Sequence, residues 1–388
     1  MVPCMTPAAR LSAAITVLDG ILAGDSAERA LTNWGRASRF AGSGDRAAVR
    51  DLVFDALRCR RSFAALGGAM TGRGLVLGGL RAAGTDPALL FTGDGHAPGP
   101  LTPQDQGHTP QGAEALDLPD WLVPDLSLSL GADLAAVAQA MQHRAPVFLR
   151  VNIARITGPA AIAALQAEGI TAHPHALADT ALEVTQGARK IQSSQAYLTG
   201  LVELQDAASQ AVVARLPLRE DMRVLDYCAG GGGKTLAMAA RAQLHLFAHD
   251  ANPARLRDLP PRAARAGVQV SLTDSPAAGH YDLVLADAPC SGSGSWRRDP
   301  QGKWALTPEK LAQTLALQDL ILDRIAPLVA PGGVLAYATC SLLEVENGGR
   351  IAGFLARWPG WQQTDQLRLT PLSGGDGFFL ALLTQKTG

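Results

Sequence analysis

The stretch Val224-Leu225-Asp226-Tyr227-Cys228-Ala229-Gly230-Gly231-Gly232-Gly233-Lys234-Thr235 decides the reading of this chain. Apolar residues run up to an aspartate, four glycines follow, and a helical pattern opens at about residue 233. The short apolar run reads as a buried strand. The glycines permit a tight turn and close approach of backbone to a ligand. The helix start beyond them offers free amides and a dipole that favour an anionic or carboxylate group. Outward from here, strand-like and helix-like segments alternate. Strands are expected at 222–227, 244–249, 267–273, 281–286, 333–338 and 378–384, and helices at 233–241, 252–266, 308–328 and 343–357. Such alternation implies a doubly wound, mostly parallel α/β sheet. In that architecture reactive groups gather at the carboxyl ends of strands.

Two further segments have the same form and end in a thiol. Asp287-Ala288-Pro289-Cys290-Ser291-Gly292-Ser293-Gly294 follows one apolar run, and Tyr337-Ala338-Thr339-Cys340-Ser341 closes another. A glycine turn with two strand-end cysteines points to one site where a bound cofactor meets a sulfur nucleophile. Asp250 ends the second strand, 24 residues after Asp226. A carboxylate there can accept from both ribose hydroxyls of an adenosine-containing cofactor, or it can cap the helix expected after Asn252. Asp274 ends the third strand, where an adenine amino group could donate to it. Gly233-Lys234-Thr235 also fits the end of a nucleotide triphosphate loop, but the first glycine of that loop would fall on Cys228. A P-loop nucleotide hydrolase is therefore disfavoured.

Bulk properties bound the rest. In 388 residues, 47% are hydrophobic and 18% charged, the balance of a globular chain of two or three domains. The net charge of -1 is mild evidence against a nucleic-acid binder, although a local basic patch can hide within a neutral total. Cys4, Cys59, Cys228, Cys290 and Cys340 form no C-x-x-C pair, so no zinc framework and no metal is expected. An odd cysteine count fits a reducing compartment. There is no signal-peptide pattern and no apolar run of membrane-spanning length, which implies a soluble, cytoplasmic protein with no membrane partner.

Three domains are expected: residues 1–140, 141–200 and 201–388. Leu11, Ile15, Leu18, Ile21 and Leu22, then Val49, Leu52, Val53 and Leu57, recur at helical spacing, with Asp45 available to cap the second helix. Residues 92–120 turn to Gly, Pro, Gln, His and Thr and read as a flexible linker. Residues 141–200 read as a small α+β module, with a strand at 146–152, a helix at 159–168 and a further strand from about 169. Arg58, Arg60 and Arg61 are candidate RNA contacts, weighed against a solvated helix face. Arg297 and Arg298 follow the Cys290 loop, where phosphate contact is favoured slightly over a surface ion pair.

Taken together, these motifs resemble the RNA cytosine-C5 methyltransferase family, most closely its bacterial Sun/Fmu ribosomal RNA branch. The family loop runs Asp-x-Cys-Ala-Ala-Pro-Gly-Gly-Lys-Thr, and this chain departs from it at Gly230 and Gly231, where the family has Ala and Pro. The stretch Gln205-Asp206-Ala207-Ala208-Ser209-Gln210, the pair Glu346-Asn347 and Asp376-Gly377-Phe378-Phe379 are similar to the family as well. The resemblance covers about residues 200–384. Gly44-Asp45-Arg46 and the helices around it are similar to a NusB-like RNA-binding domain.

The resemblance implies a Rossmann-like class I methyltransferase domain that uses S-adenosylmethionine. Cys228, Ala229, Gly230, Gly231, Gly232, Gly233, Lys234, Asp250, Asp274 and Asp287 would form the cofactor site. It implies Cys340 as the nucleophile that adds to cytosine C6, Cys290 as the residue of product release and Asp287 on the cytosine edge. Asp287 would accept from the N4 amino group if ionised, or donate to N3 if protonated. DNA cytosine methyltransferases attack from a Pro-Cys motif, so exchanged roles for the two thiols stay open at this point. The implied partner is RNA, 16S ribosomal RNA foremost, acted on by a monomer. A tRNA substrate is the alternative. A noncatalytic RNA-binding assembly factor is opposed by the intact Cys340, Cys290, Asp287 and Lys234.

Overall fold

The computed structural model describes residues 5–386, so Cys4 lies outside the described residues. Eleven strands form two sheets among them: β1 (Val147–Val151), β2 (Thr171–Pro174), β3 (Ala181–Gln186), β4 (Val202–Leu204), β5 (Arg223–Asp226), β6 (His245–Ala248), β7 (Ser271–Leu272), β8 (Tyr281–Asp287), β9 (Val329–Thr339), β10 (Trp361–Leu369) and β11 (Phe378–Gln385). The chain divides into two units. One comprises residues up to Ser127, Gly131–Arg144 and Trp296–Ala305; the other comprises Leu128–Leu130, Ala145–Ser295 and everything from Leu306 on.

The first unit is helical. Helices Pro7–Leu22, Ser43–Arg58 and Gly72–Ala82 bury Leu11, Leu18, Val49, Val53, Leu57, Leu75 and Leu77 in one core, which is what their helical spacing demands. Asp45 sits inside the helix rather than at its cap: the cap is Gly42, whose N–H donates to Asp45 Oδ2 at 3.2 Å. Residues 92–120 hold no helix longer than a turn, yet buried acids tie the segment down. Asp105 pairs with Arg73 at 2.8 Å, and Asp117 accepts from the backbone of Arg61 and Ser62. Trp296–Ala305 completes the unit from far along the chain. Lys303 Nζ donates to Arg58 O at 3.0 Å, and Trp304 Nε1 donates to Leu57 O at 2.7 Å.

One stretch, Asp120–Met141, is long and apolar enough to cross a membrane by length and composition, contrary to the expectation that none is. The chain breaks helical geometry within it at Gly131, where φ is 54°.

The second unit holds both sheets. The four-stranded sheet has the order β2-β3-β1-β4 with antiparallel pairs. The seven-stranded sheet has the order β10-β11-β9-β8-β5-β6-β7. Strands β9, β8, β5, β6 and β7 run parallel; β11 pairs antiparallel with β9, and β10 pairs antiparallel with β11. In β8, Leu283, Val284, Leu285 and Ala286 are all fully buried, without polar alternation. A parallel strand of that kind is covered on both faces. Val284 and Ala286 accordingly pack with Leu225, Leu335 and Tyr337, while Leu283 and Leu285 pack on the other side with Val224, Ala336 and Ala338.

Three expectations need correction. β7 shrinks to two exposed residues at the sheet edge, far short of 267–273. The segment expected as helix 252–266 is a 3-10 turn, Pro253–Asp258, followed by helix Leu259–Ala266. β10 was not foreseen; its burial is confined mainly to Trp361 and Leu369, because it is an edge strand whose middle is polar.

Candidate active site

The sheet order brings the motifs together. The chain runs outward from β5 to β6 and β7, then crosses to the other side of β5 with β8 and β9. The carboxyl ends of β5 and β8 therefore flank the switch point where such sheets bind ligands. Asp287 of β8 pairs with Ala338 of β9, and Ala288 N donates to Ala338 O at 2.8 Å. The two cysteine loops thus leave neighbouring parallel strands at the same edge. Backbone contacts hold them close: Gly294 N donates to Cys340 O, and Gly377 N donates to Gly294 O, each at 2.9 Å. A Cβ on Gly294 would lie 2.2 Å from Gly377 O, so only glycine permits this approach.

Cys290 Sγ and Cys340 Sγ are 3.4 Å apart, both free thiols. Their surroundings differ. The hydrogen bond from Cys290 is the first cause that lowers the Cys340 pKa, and Lys234 adds to it against burial and Asp287. Cys290 is raised well above an ordinary thiol by that same bond, by burial and by the charges of Cys340 and Glu346. Either sulfur can donate in this contact, and the surroundings make Cys340 the more acidic of the two. Cys228, the third strand-end cysteine, is pushed up by burial and by Asp226, Asp287 and Asp250, so it stays a thiol.

Lys234 is buried, and its Nζ lies 2.5 Å from Asp287 Oδ2 and 4.8 Å from the centre of the Phe378 ring. Burial works to lower the lysine pKa, but the charge and hydrogen bond of Asp287 outweigh it and the net shift is upward. Thr235 Oγ1 donates to Asp226 Oδ2 at 2.7 Å. Both residues that a triphosphate loop would turn toward phosphate and metal are therefore engaged elsewhere. Asp226 is pushed up to about 6, chiefly by burial, and its Oδ1 has no hydrogen-bond partner.

Asp250 does two things at once. Its Oδ2 accepts from Gly230 N at 3.1 Å, fixing the glycine loop, and its Oδ1 accepts from Asn252 N at 2.9 Å. Arg255 lies 3.3 Å from it. Gly230 has φ of 50°, a conformation that suits glycine over alanine. A Cβ on Gly231 would lie 3.0 Å from Arg262 Nη1, the group that donates to Gly231 O. The two departures from the family loop are thus filled by arginines from the following helical segment. Asp274 is exposed. Since Ala248 pairs with Leu272, Asp250 and Asp274 both lie two residues past the last paired position of the parallel β6 and β7.

The arginines do not gather as expected. Arg58 is buried, with Nε donating to Arg297 O and Nη1 pairing with Asp55, each at 2.8 Å, so it is a packing residue of the helical core. Arg61 is bound to Leu118 O and Asp120, and Arg60 lies over the Trp304 ring at 5.3 Å. Arg297 is buried; Arg298 is exposed. Gln205–Gln210 and Glu346–Asn347 carry no site signal of their own beyond the resemblance. Here Asp206 Oδ1 accepts from Asp376 N at 2.9 Å, and Gln210 Nε2 donates to Leu149 O of β1 at 3.2 Å, joining the two sheets. Buried Arg150 also links them, with Nη1 donating to Gly233 O at 2.8 Å, a role with no local signal in the sequence.

Comparison with known proteins agrees with this geometry. Residues 213–384 match the family described as 16S rRNA methyltransferase RsmB/F, and residues 118–191 match the ferredoxin-like domain described for RsmF/B-like methyltransferases. The chain is 33% identical over 287 residues to ribosomal RNA small subunit methyltransferase B of Citrobacter koseri, covering 69% of this chain and 66% of that one. The counterpart in Salmonella arizonae is 33% identical over 285 residues with the same coverage. The chain thus spans about two thirds of the length of these relatives. Among solved structures, PH0851 superposes with a TM-score of 0.76 at 21% identity, covering 98% of this chain and 99% of that one. A methyltransferase homologue from Pyrococcus horikoshii gives a TM-score of 0.62 at 25% identity, covering 71% and 97%. With a matching fold, motifs and relatives, the chain carries the methyltransferase domain of the RsmB/F family together with its ferredoxin-like domain.

Proposed function

We propose that this protein methylates C5 of a cytosine in 16S ribosomal RNA, with S-adenosylmethionine as methyl donor and Cys340 as covalent nucleophile. The observation that carries the proposal is the thiol pair: Cys340 Sγ lies 3.4 Å from Cys290 Sγ, with the charges of Lys234 and Asp287 acting on Cys340. The chain's residues fit the donor. Asp226 Oδ1 is a buried acceptor without a partner, and Asp250 holds the glycine loop through Gly230 N at 3.1 Å. The residues that would hold it are the loop 228–234, Asp250 and Asp274. When bound, S-adenosylmethionine supplies an electrophilic methyl group to an activated C5.

The chain's own residues provide the activation. Cys340 Sγ, as thiolate, forms a bond to C6, and the C5–C6 π pair is released toward C5, which becomes enamine-like. Cys290 stabilises the thiolate beforehand by donating to it. Asp287, held by Lys234, faces the base edge. After transfer, the C5 proton passes to a base, the C6–Sγ bond breaks and its electron pair returns to Cys340; Cys290 is the residue of this release step. The target base must leave its stack to reach the sulfur, so a single-stranded or looped RNA segment is the substrate form.

Incubation with labelled methyl donor and 16S ribosomal RNA, followed by bisulfite sequencing, tests the proposal. Label at a bisulfite-resistant cytosine supports it. Absence of transfer to ribosomal RNA, with transfer to tRNA instead, overturns the choice of substrate.

A further inference from the structure

Glu346 is fully buried, and no cation pairs with it among the described residues. Its Oε1 accepts from the backbone N of Ser291 at 2.8 Å and from Gln318 Nε2 at 3.1 Å. Its Oε2 accepts from the hydroxyls of Ser291 and Ser341. Four donors on two oxygens is the acceptor-only pattern of a carboxylate. Ser291 follows Cys290 and Ser341 follows Cys340, so one side chain clasps both cysteine loops. Its neighbour Asn347 adds a second clasp: Nδ2 donates to Ser341 O at 2.9 Å, and Oδ1 accepts from Thr339 Oγ1 at 2.6 Å.

The clasp is lopsided. Two of its four donors belong to Ser291, and one of those is the amide of the Cys290–Ser291 peptide. Gln318 supports the same side, donating also to Pro289 O at 2.8 Å. The charges facing the thiols divide accordingly. Lys234, with Asp287, faces Cys340; Glu346 faces Cys290. Behind Tyr337, whose hydroxyl donates to Glu346 O at 2.9 Å, stands the Asp319–Arg350 ion pair.

We propose that Glu346 is a positioning residue that makes the two thiols unequal, holding Cys290 as the protonated partner so that Cys340 is the thiolate. A buried negative charge beside Cys290 opposes ionisation there, and Lys234 favours it across the 3.4 Å contact at Cys340. The meaning of this for catalysis rests on the methyltransferase reading; its test does not.

The test is alkylation of the full chain by limiting iodoacetamide across pH, without RNA or cofactor, with labelled cysteine peptides counted by mass spectrometry. In the unaltered protein Cys340 is labelled ahead of Cys290. In Glu346→Gln, which keeps the shape and removes the charge, the ratio of Cys340 to Cys290 labelling falls by about tenfold, the change in thiolate fraction that one pKa unit gives. Glu346→Asp, which keeps the charge but draws it back, gives an intermediate fall and serves if the glutamine variant does not fold. An unchanged ratio in either folded variant overturns the proposal and leaves the methyltransferase reading standing. A shifted ratio together with no methyl transfer to RNA by the unaltered protein sinks that reading alone.

Discussion

Lys234 Nζ and Asp287 Oδ2 are 2.5 Å apart, although the two residues are separated by 53 positions in sequence. The lysine closes the glycine loop after β5 and the aspartate ends β8, so the pair ties that loop to the carboxyl end of β8. It also sets the field in which Cys340 ionises.

Breaking this pair therefore acts on stability and on the thiol. Asp287→Ala leaves the buried lysine without its partner. We expect a loss of about 2–3 kcal/mol in denaturant unfolding, below the ~3–5 of a fully buried pair because Asp287 is partly exposed. Lys234→Met removes the cation that lowers Cys340, so the alkylation profile of Cys340 moves to higher pH. A profile that stays in place shows that Lys234 does not govern that thiol.

Asp226 predicts a pH dependence. Its folded pKa is raised from 3.8 to about 6 by burial. Between those values the folded protein holds a proton that the unfolded chain has lost, so stability falls as pH rises through that window. The stabilising contribution is full below pH 3.8 and gone above about 6, and its size is about 3 kcal/mol. Asp226→Asn removes it. Unfolding free energies measured from pH 4 to 7 should slope less in the variant, and parallel curves would refute the assignment.

Asp250 both shapes the loop and stands where a ribose is expected. Asp250→Ala should weaken S-adenosylmethionine binding by about 10- to 150-fold, equivalent to ~1.5–3 kcal/mol for lost charge-assisted hydrogen bonds. Calorimetry giving equal affinity for both proteins removes Asp250 from the cofactor site.

Arg58 belongs to the helical core. Arg58→Met should lower the melting temperature of the helical unit, since it strips the bonds to Arg297 O and Asp55. A variant with unchanged melting and weakened RNA binding would restore Arg58 as an RNA contact.

The motifs were legible because their signals are local. Each of β5, β8 and β9 is an apolar run that ends at a reactive residue, and a fully buried parallel strand leaves that trace. β10 left none: Gln362, Gln363, Thr364 and Asp365 are polar and lie on an edge, where burial does not dictate side-chain type. β7 misled in the other direction, since Val268 and Val270 are apolar because they pack beside Leu256 and Ala263, not because they pair in the sheet. Arg58 read as a surface charge because its partners, Arg297 and the helix Pro300–Ala305, lie some 240 residues away. Glu346 showed only as half of a familiar pair; that it clasps two loops depends on Ser291 and Gln318, which only the fold brings to it.

The central claim is that Cys340 attacks and Cys290 releases. The most direct measurement is a denaturing gel of each variant after incubation with RNA substrate and S-adenosylmethionine. Cys290→Ala should attack, transfer the methyl and stall, so a protein–RNA adduct accumulates. Cys340→Ala should form none, and the double variant should behave like Cys340→Ala, because release cannot matter before attack. An adduct trapped by Cys340→Ala and absent from Cys290→Ala would reverse the two roles and contradict the account.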